Sequence, residues 1–570
     1  MPKKPANLIY AVDENPPVGI TLLQGIQHVF VLAVYFIFPV IVVNSVNGTN
    51  EEAATIIKMS MIVMGLTTII QALSKGPVGS GYLAPDGNGP AYLSSAMLAA
   101  KTGGISLIFG MTLVSACFKA VFSRLVNRLQ FLFPPEVVGL VVTMVGIEII
   151  PLGITRFFGL QQSGGAIDPG VFLVAMATYA TMVGINIWGK GWLRLYPILI
   201  GMAVGYLSSY LSGILTPSDL RHVTAESWIS MPHFAAFGWS FDISLLFPFL
   251  IASLCSSLKT IGDLTMCQKI NDSEWKRSDM KSIGRGILAD SLGDTLSGLI
   301  GSLGQTTSSS NIGFSMATGV TSRRIAFAIG GILCLLAFLP KLAQVFVIMP
   351  RPVMGAILIF VANFMILAGI QIIATRMLDV RKIFVIGTSV IFGLSVFLFP
   401  KAYSNVPALL HPIFSSALSL ATISVIVLNL IFRIGIAKRN GLVLDTKEKE
   451  VMETLRTFME NQGGAWGARR EVIKRAEYAL SEFMESLIGL QLTEGPVSLE
   501  VSFEEMSLDL SLNYKGRPLE FPPQVPSAAD LLEDKTAVFR LSGFIIKNYV
   551  DRIKTVEKDG RCRVMFHFDH

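Results

Sequence analysis

GSLGQTTSSSNIGFSMATG, residues 301–319, breaks an apolar chain with glycine, serine and threonine where a membrane helix is expected to continue. Lipid cannot satisfy bare backbone N–H and C=O groups, so such a break is tolerated only where it is buried in protein or lines a cavity for a polar solute. A second break, GPVGSGYLAPDGNGPAYL at 76–93, takes the corresponding place in the first half of the chain. Interrupted segments paired across two halves point to a transporter binding site.

The surrounding chain fits that setting. It is 52% hydrophobic and only 15% charged over 570 residues, with a mean hydropathy of +0.58, far too apolar for a soluble protein of this length. Apolar runs lie near 22–43, 53–73, 82–100, 103–122, 136–153, 169–187, 195–213, 243–264, 283–300, 309–319, 325–345, 352–374, 383–399 and 411–432, or about fourteen passes. The third and tenth are the interrupted ones. Each is third in a half of about seven passes, and an odd number puts the halves in opposite orientations, the arithmetic of an inverted repeat. The fold expected is an all-α polytopic membrane protein with short strands in the third and tenth segments, followed by a soluble α+β domain.

Basic residues of the short loops give the orientation. Lys75, Arg124, Arg128, Lys190, Arg194, Lys269, Lys276, Arg277, Lys281, Arg285, Arg323, Arg324, Arg376, Arg381 and Lys382 fall on one side; Lys101, Arg156, Arg221, Lys341, Arg351 and Lys401 fall on the other. The richer side is expected in the cytoplasm, with both termini. Residues 1–20 lack a secretory signal pattern and read as a cytoplasmic segment. The protein is expected in the plasma or inner membrane. Its net charge of +6 follows from the loop bias and calls for no nucleic acid. Five cysteines, Cys117, Cys255, Cys267, Cys334 and Cys562, show no CxxC spacing, so neither a metal site nor a disulfide framework is indicated. No GxxxxGK[ST] phosphate loop appears, which argues against a primary pump. No cofactor and no enzyme activity are expected.

A helix that starts mid-membrane exposes free N–H groups and the positive end of its dipole to an acceptor-rich solute. In the second break Ser308, Ser309, Ser310 and Asn311 both donate and accept, Gly313 opens a close approach, and Thr318 is read as a cap. In the first, Tyr82, Asp86, Asn88, Gly89 and Pro90 stand opposite, and Pro90 suits a first helical turn. For any single glycine the alternative is close helix packing. Ionisable residues inside spans are functional candidates: His28 in the first; Lys259 and Asp263, four apart on one helical face and able to pair; Asp290 on the next span, with Asp294 a turn beyond. Lys119 reads as a span-end lysine that snorkels.

These residues resemble the nucleobase-ascorbate transporters, or nucleobase:cation symporters of the second type, which include xanthine, urate and uracil permeases. The family signature is Gln or Glu, Asn, any residue, Gly, four residues, then Thr followed by Arg, Lys or Gly; here it reads Ser310-Asn311-Ile312-Gly313-FSMA-Thr318-Gly319. GIQHV at 25–29, GSGYLAP at 79–85, TIGDLT at 260–265, GRGILADSLGDTLSGLIG at 284–301 and MPRPVMGA at 349–356 add to it. The resemblance covers roughly residues 15–435 and implies core and gate domains, usually in a homodimer. It also implies proton-coupled or sodium-coupled uptake of a purine or pyrimidine base by alternating access. Lys259, Ser309, Ser310, Asn311 and Gly313 would contact substrate with Gly89, Pro90 and Ala91. His28, Asp263 and Asp290 would serve coupling, and Thr318 and Gly319 close the motif.

Two positions depart from the pattern: Lys259 stands where the family has a glutamate, and Ser310 where it has Gln or Glu. An ammonium is a donor only, so an anion-preferring or uncoupled transporter, or a non-transporting nucleobase sensor, stands as the alternative.

From about Ala437 the chain reads as soluble. Helical periodicity covers 444–460 and 470–490, and 496–516 alternates apolar and polar up to a turn at Lys515-Gly516. A helix at about 528–555 and a strand from Cys562 to Phe568 complete a unit of about 130 residues, enough for one small core. It faintly resembles the histidine-kinase-like ATPase fold, but Ser486 stands where that family has its magnesium-binding asparagine and no Asp-x-Gly-x-Gly loop appears. A regulatory or dimer-stabilising role is the expectation.

Overall fold

The computed structural model describes residues 3–6, 8–129, 132–160, 166–190, 193, 196–275, 278–374, 378–403, 405–407, 411–414, 416–432, 438–446, 450–504, 507–522, 524, 537–558 and 560–569. Arg194, Lys276, Arg277, Arg376 and residues 528–536 of the last expected helix lie outside that set. The chain folds as two compact units, Met1–Leu430 and Ile431–His570.

The first unit runs α1 (Val18–Leu32), α2 (Ile37–Asn44), α3 (Asn50–Gln71), β1 (Asp86–Asn88), α4 (Leu93–Gly103), α5 (Ile105–Leu125), α6 (Pro135–Phe157), α7 (Pro169–Trp188), α8 (Pro197–Leu211) and α9 (Pro217–Ala225). It continues through α10 (Leu246–Asn271), α11 (Met280–Ile300), β2 (Gln305–Thr307), α12 (Ser309–Thr318), α13 (Arg324–Leu336), α14 (Pro340–Val347), α15 (Arg351–Ile373), α16 (Val380–Leu398), α17 (His411–Phe414) and α18 (Ala417–Phe432). Eight helices among the described residues are long and apolar enough to cross a membrane. One expected span, 325–345, is instead two helices, α13 and α14, bent by 87° at the break before Pro340. Proline lacks an N–H and suits only a first turn, so a helix restarts there in a new direction.

Close backbone contact holds α6 against α15. A Cβ on Gly369 would fall 2.5 Å from the Gly139 carbonyl oxygen and 2.2 Å from Thr143 Oγ1, and one on Gly355 would fall 2.5 Å from the Phe157 nitrogen. Small residues that let helices approach are the usual means of association in lipid, where burial gives no driving force between helices. Gly369→Val is therefore expected to force the two helices apart and cost about 3 kcal/mol, the upper end for overpacking. An unchanged melting temperature of the purified variant in detergent would contradict this.

The second unit holds β3 (Lys438–Leu444), α19 (Val451–Trp466), α20 (Arg470–Gly489), β4 (Val497–Glu504), β5 (Ser507–Lys515), α21 (Ala537–Tyr549), β6 (Arg552–Lys558) and β7 (Arg561–Asp569). Its antiparallel sheet has the order β3-β4-β5-β7-β6. Val497, Leu499 and Val501 on β4 and Leu508, Leu510 and Leu512 on β5 alternate into a core with Phe483 of α20 and Phe566 and Phe568 of β7. The alternating stretch 496–516 is thus a hairpin of two strands, with Glu504 opposite Ser507. The helix expected at 444–460 lies at Val451–Trp466 behind strand β3, and the last helix ends at Tyr549, where β6 follows. Alternation at period two continues across a hairpin, and both its strands present the same face. Ser486 donates to the Glu482 carbonyl at 2.8 Å within its own helix.

Candidate functional site

The two breaks meet. β1 and β2 pair antiparallel, with Asp86 opposite Thr307, Gly87 opposite Thr306 and Asn88 opposite Gln305. Each strand runs into a helical start: a short 3-10 turn, Pro90–Tyr92, then α4 after the first; α12 after the second. Pro90 occupies the first turn, as its missing N–H favours. The Gly89 N–H donates to the Gly304 carbonyl at 2.6 Å, and Gly89, Pro90 and Ala91 are all buried.

Ser308 caps α12: its Oγ accepts from the Asn311 N–H at 3.4 Å and Nδ2 at 2.9 Å, and from Tyr35 Oη at 3.0 Å. Thr318, read as a cap, instead donates to the Phe314 carbonyl in its own last turn. An N-cap must precede the helix it serves, and the left-handed residue that closes α12 is Gly319, at φ +66°. His28 is fully buried, with Nδ1 2.7 Å from Asn311 Oδ1 and its ring edge-on to Phe314. Ser310 and Gly313 lie exposed on the opposite face of α12. A Cβ on Gly313 would meet nothing within 4 Å.

Two lysine–aspartate pairs flank the strands. Lys259 Nζ lies 2.7 Å from Asp263 Oδ2 and also donates to the Thr307 carbonyl. Asp263 further accepts from the hydroxyls of Thr307, at 2.7 Å, and Ser309, at 2.6 Å. Lys119 Nζ lies 3.0 Å from Asp294 Oδ2 and donates to Ser256 Oγ and the Gln305 carbonyl, both at 3.0 Å. Asp294 also accepts from Tyr92 Oη and the Gln305 N–H. Asp290 does not bond Lys259. It accepts from Gln71 Nε2 at 2.7 Å and from Thr260 Oγ1, and lies 4.0 Å from Lys119.

Lys119 is therefore not a snorkelling lysine. Its side chain is 0% exposed, because it lies on the face of α5 that meets α10 and α11, where Asp294 requires a cation. Asp294, lodged mid-span, was the available signal, since a buried carboxylate implies a partner. Asp86, expected opposite the second break, does face it, across from Thr307, whereas Tyr35, Thr307 and Gln305 join the site through pairings that no local pattern encodes. Beside α4 a cavity of about 230 Å³ is lined by Ser94, Ser95, Met97, Leu98, Lys101, Pro248 and Ser416.

Strand–helix breaks paired within an apolar helical unit are the arrangement of a multi-pass membrane transport protein. Residues 19–402 match the model of the Permease family (Xan_ur_permease), and the chain belongs to that family. A Clostridium perfringens protein with a provisional purine-permease name, CPE0397, is 31% identical over 428 residues, 75% of this chain and 93% of its own length. Xanthine permease XanP of Escherichia coli is 29% identical over 75% of this chain and 95% of its own. The nucleobase transporter PlUacP of Paenibacillus larvae is 26% identical over 74% and 96%. Among solved structures, the murine anion transporter Slc26a9 in its inward-facing state shares the fold, with a TM-score of 0.51 at 10% identity, covering 76% of this chain and 71% of that one.

Proposed function

We propose that this permease is a secondary transporter that imports a purine or pyrimidine base by alternating access, coupled to protons. In this reading residues 21–435 form about fourteen segments in two inverted repeats, 21–213 and 241–435, sorted into a core and a gate within a homodimer. Residues 1–20 and 436–570 are cytoplasmic, the latter regulatory. The observation that carries the reading is the antiparallel pairing of β1 with β2, which brings the two helix starts and their hydroxyl and amide groups together in a chain related to xanthine and purine permeases. A planar base, rich in carbonyl and N–H groups, suits such donors and acceptors.

Purified protein is expected to gain thermal stability from at least one of xanthine, hypoxanthine, urate, guanine, adenine or uracil. The same base should then accumulate in proteoliposomes under an inward proton gradient. Binding without counterflow would replace the transporter by a sensor. Deleting 440–570 is expected to change the rate of uptake without abolishing it; complete loss would make the second unit essential to transport.

The engagement of Lys259 with both Asp263 and the Thr307 carbonyl favours a second reading of that residue, as a built-in counter-ion rather than a ligand for an anionic base.

A further inference from the structure

Asp86 is the one buried side-chain carboxylate, among the described residues, with neither oxygen hydrogen-bonded. It is 0% exposed and lies within the strand pair itself, opposite Thr307. Only its backbone is tied, the N–H donating to Thr68 Oγ1 at 3.1 Å. The charged groups acting on it are Asp290 and Asp294 on α11, Lys119 on α5 and Lys259 on α10; the Tyr35 phenol feels it from the turn between α1 and α2.

The charges in this cluster do not balance. Lys119 is taken by Asp294 and Lys259 by Asp263. Asp290 retains two neutral donors and Lys119 at 4.0 Å. Asp86 has none of these. A bare ionised carboxylate removed from water costs several kcal/mol, and a neutral acid far less. A divalent metal would require several ligands, whereas no group of three His, Cys, Asp or Glu is placed to hold one among the described residues. A proton requires a single oxygen.

We propose that Asp86 is a proton-binding site, occupied in the arrangement seen here and emptied when the paired breaks open to water. The O–H bond forms with a proton drawn from water on the loading side. It breaks to water on the other side, leaving a carboxylate that the opened site can hydrate. Because β1 leads directly into Gly89 and Pro90, the charge on Asp86 is felt where the base is proposed to bind. The coupling role rests on the transport reading; the protonation does not.

Infrared pH-difference spectra of the purified full-length protein test it directly. Wild type is expected to show a protonated-carboxyl stretch at neutral pH that Asp86→Asn diminishes by one group's intensity. A band of full intensity in that variant overturns the proposal. Should Asp86→Asn fail to fold, Asp86→Glu is expected to keep the band at a shifted frequency, and an unshifted band overturns it equally. Sodium that erases the wild-type band at fixed pH would show a metal cation displacing the proton and overturn the proton as the coupling ion. In proteoliposomes, accumulation driven by an acid gradient is expected to fall about tenfold or more in Asp86→Asn, within the range of ordinary coupling free energies; undiminished accumulation overturns the coupling role. A wild type that moves no base at all sinks the transport reading and leaves the infrared result to stand by itself.

Discussion

Lys119→Met is expected to cost the first unit roughly 3–5 kcal/mol, the penalty for removing one partner of a buried ion pair. Both side chains of the Lys119–Asp294 pair are 0% exposed, so water cannot screen the carboxylate left behind. The same ammonium is the nearest cation to Asp290 and bonds the Gln305 carbonyl of β2. Its loss leaves two carboxylates without their cation and the Gln305 carbonyl with Ser256 Oγ as its remaining side-chain donor. The melting temperature in detergent, with the yield of monodisperse protein, measures this. The double variant Lys119→Met with Asp294→Asn is expected to recover much of the stability, since removing both charges removes the desolvation problem. A single variant as stable as wild type would show that Lys119 does not hold the site together.

Lys259→Met is expected to have a comparable effect on stability, roughly 3–5 kcal/mol, with a further consequence for specificity. Asp263 would retain the hydroxyls of Thr307 and Ser309 but lose its cation. Pairing that substitution with Asp263→Asn separates the two roles open to Lys259. A built-in counter-ion predicts that the double variant regains stability and binds the same base with similar affinity. A ligand for an anionic base predicts restored stability with affinity for urate lowered about tenfold or more, as befits a lost charged hydrogen bond. Calorimetry on the double variant distinguishes them: unchanged urate affinity rules out the ligand role, and selective loss rules out the counter-ion.

The legible part of the site was the part encoded by local chemistry. Residues 301–319 and 76–93 could be read as breaks because glycine and proline disfavour a continuous helix and clustered hydroxyl residues compete for its backbone groups, and the structure places β1 and β2 there. Lys259 and Asp263 could be paired because four residues bring side chains to one face of a helix. Other readings failed for want of distance information. Thr318 has the right chemistry for a cap and lies at the wrong end of its helix. Lys119, six residues short of the end of α5, looked free to reach water because nothing nearby shows which face of α5 is covered. Ser310 belongs to the signature by position, and its side chain lies on the exposed face of α12.

By itself, then, the amino-acid sequence determined the membrane setting, the positions of the two breaks and the family, all of which follow from hydropathy and from backbone preferences acting over a few residues. Only the tertiary structure decided which charges on different helices neutralise each other. Lys119 meets Asp294 across 175 residues and Gln71 meets Asp290 across 219. Which helix faces meet is set by packing over the whole unit, as where Gly139 and Gly369 let α6 and α15 touch. In a low-dielectric interior the same aspartate is a closed ion pair or a lone carboxylate according to what that packing puts beside it. Asp294 became the first and Asp86 the second.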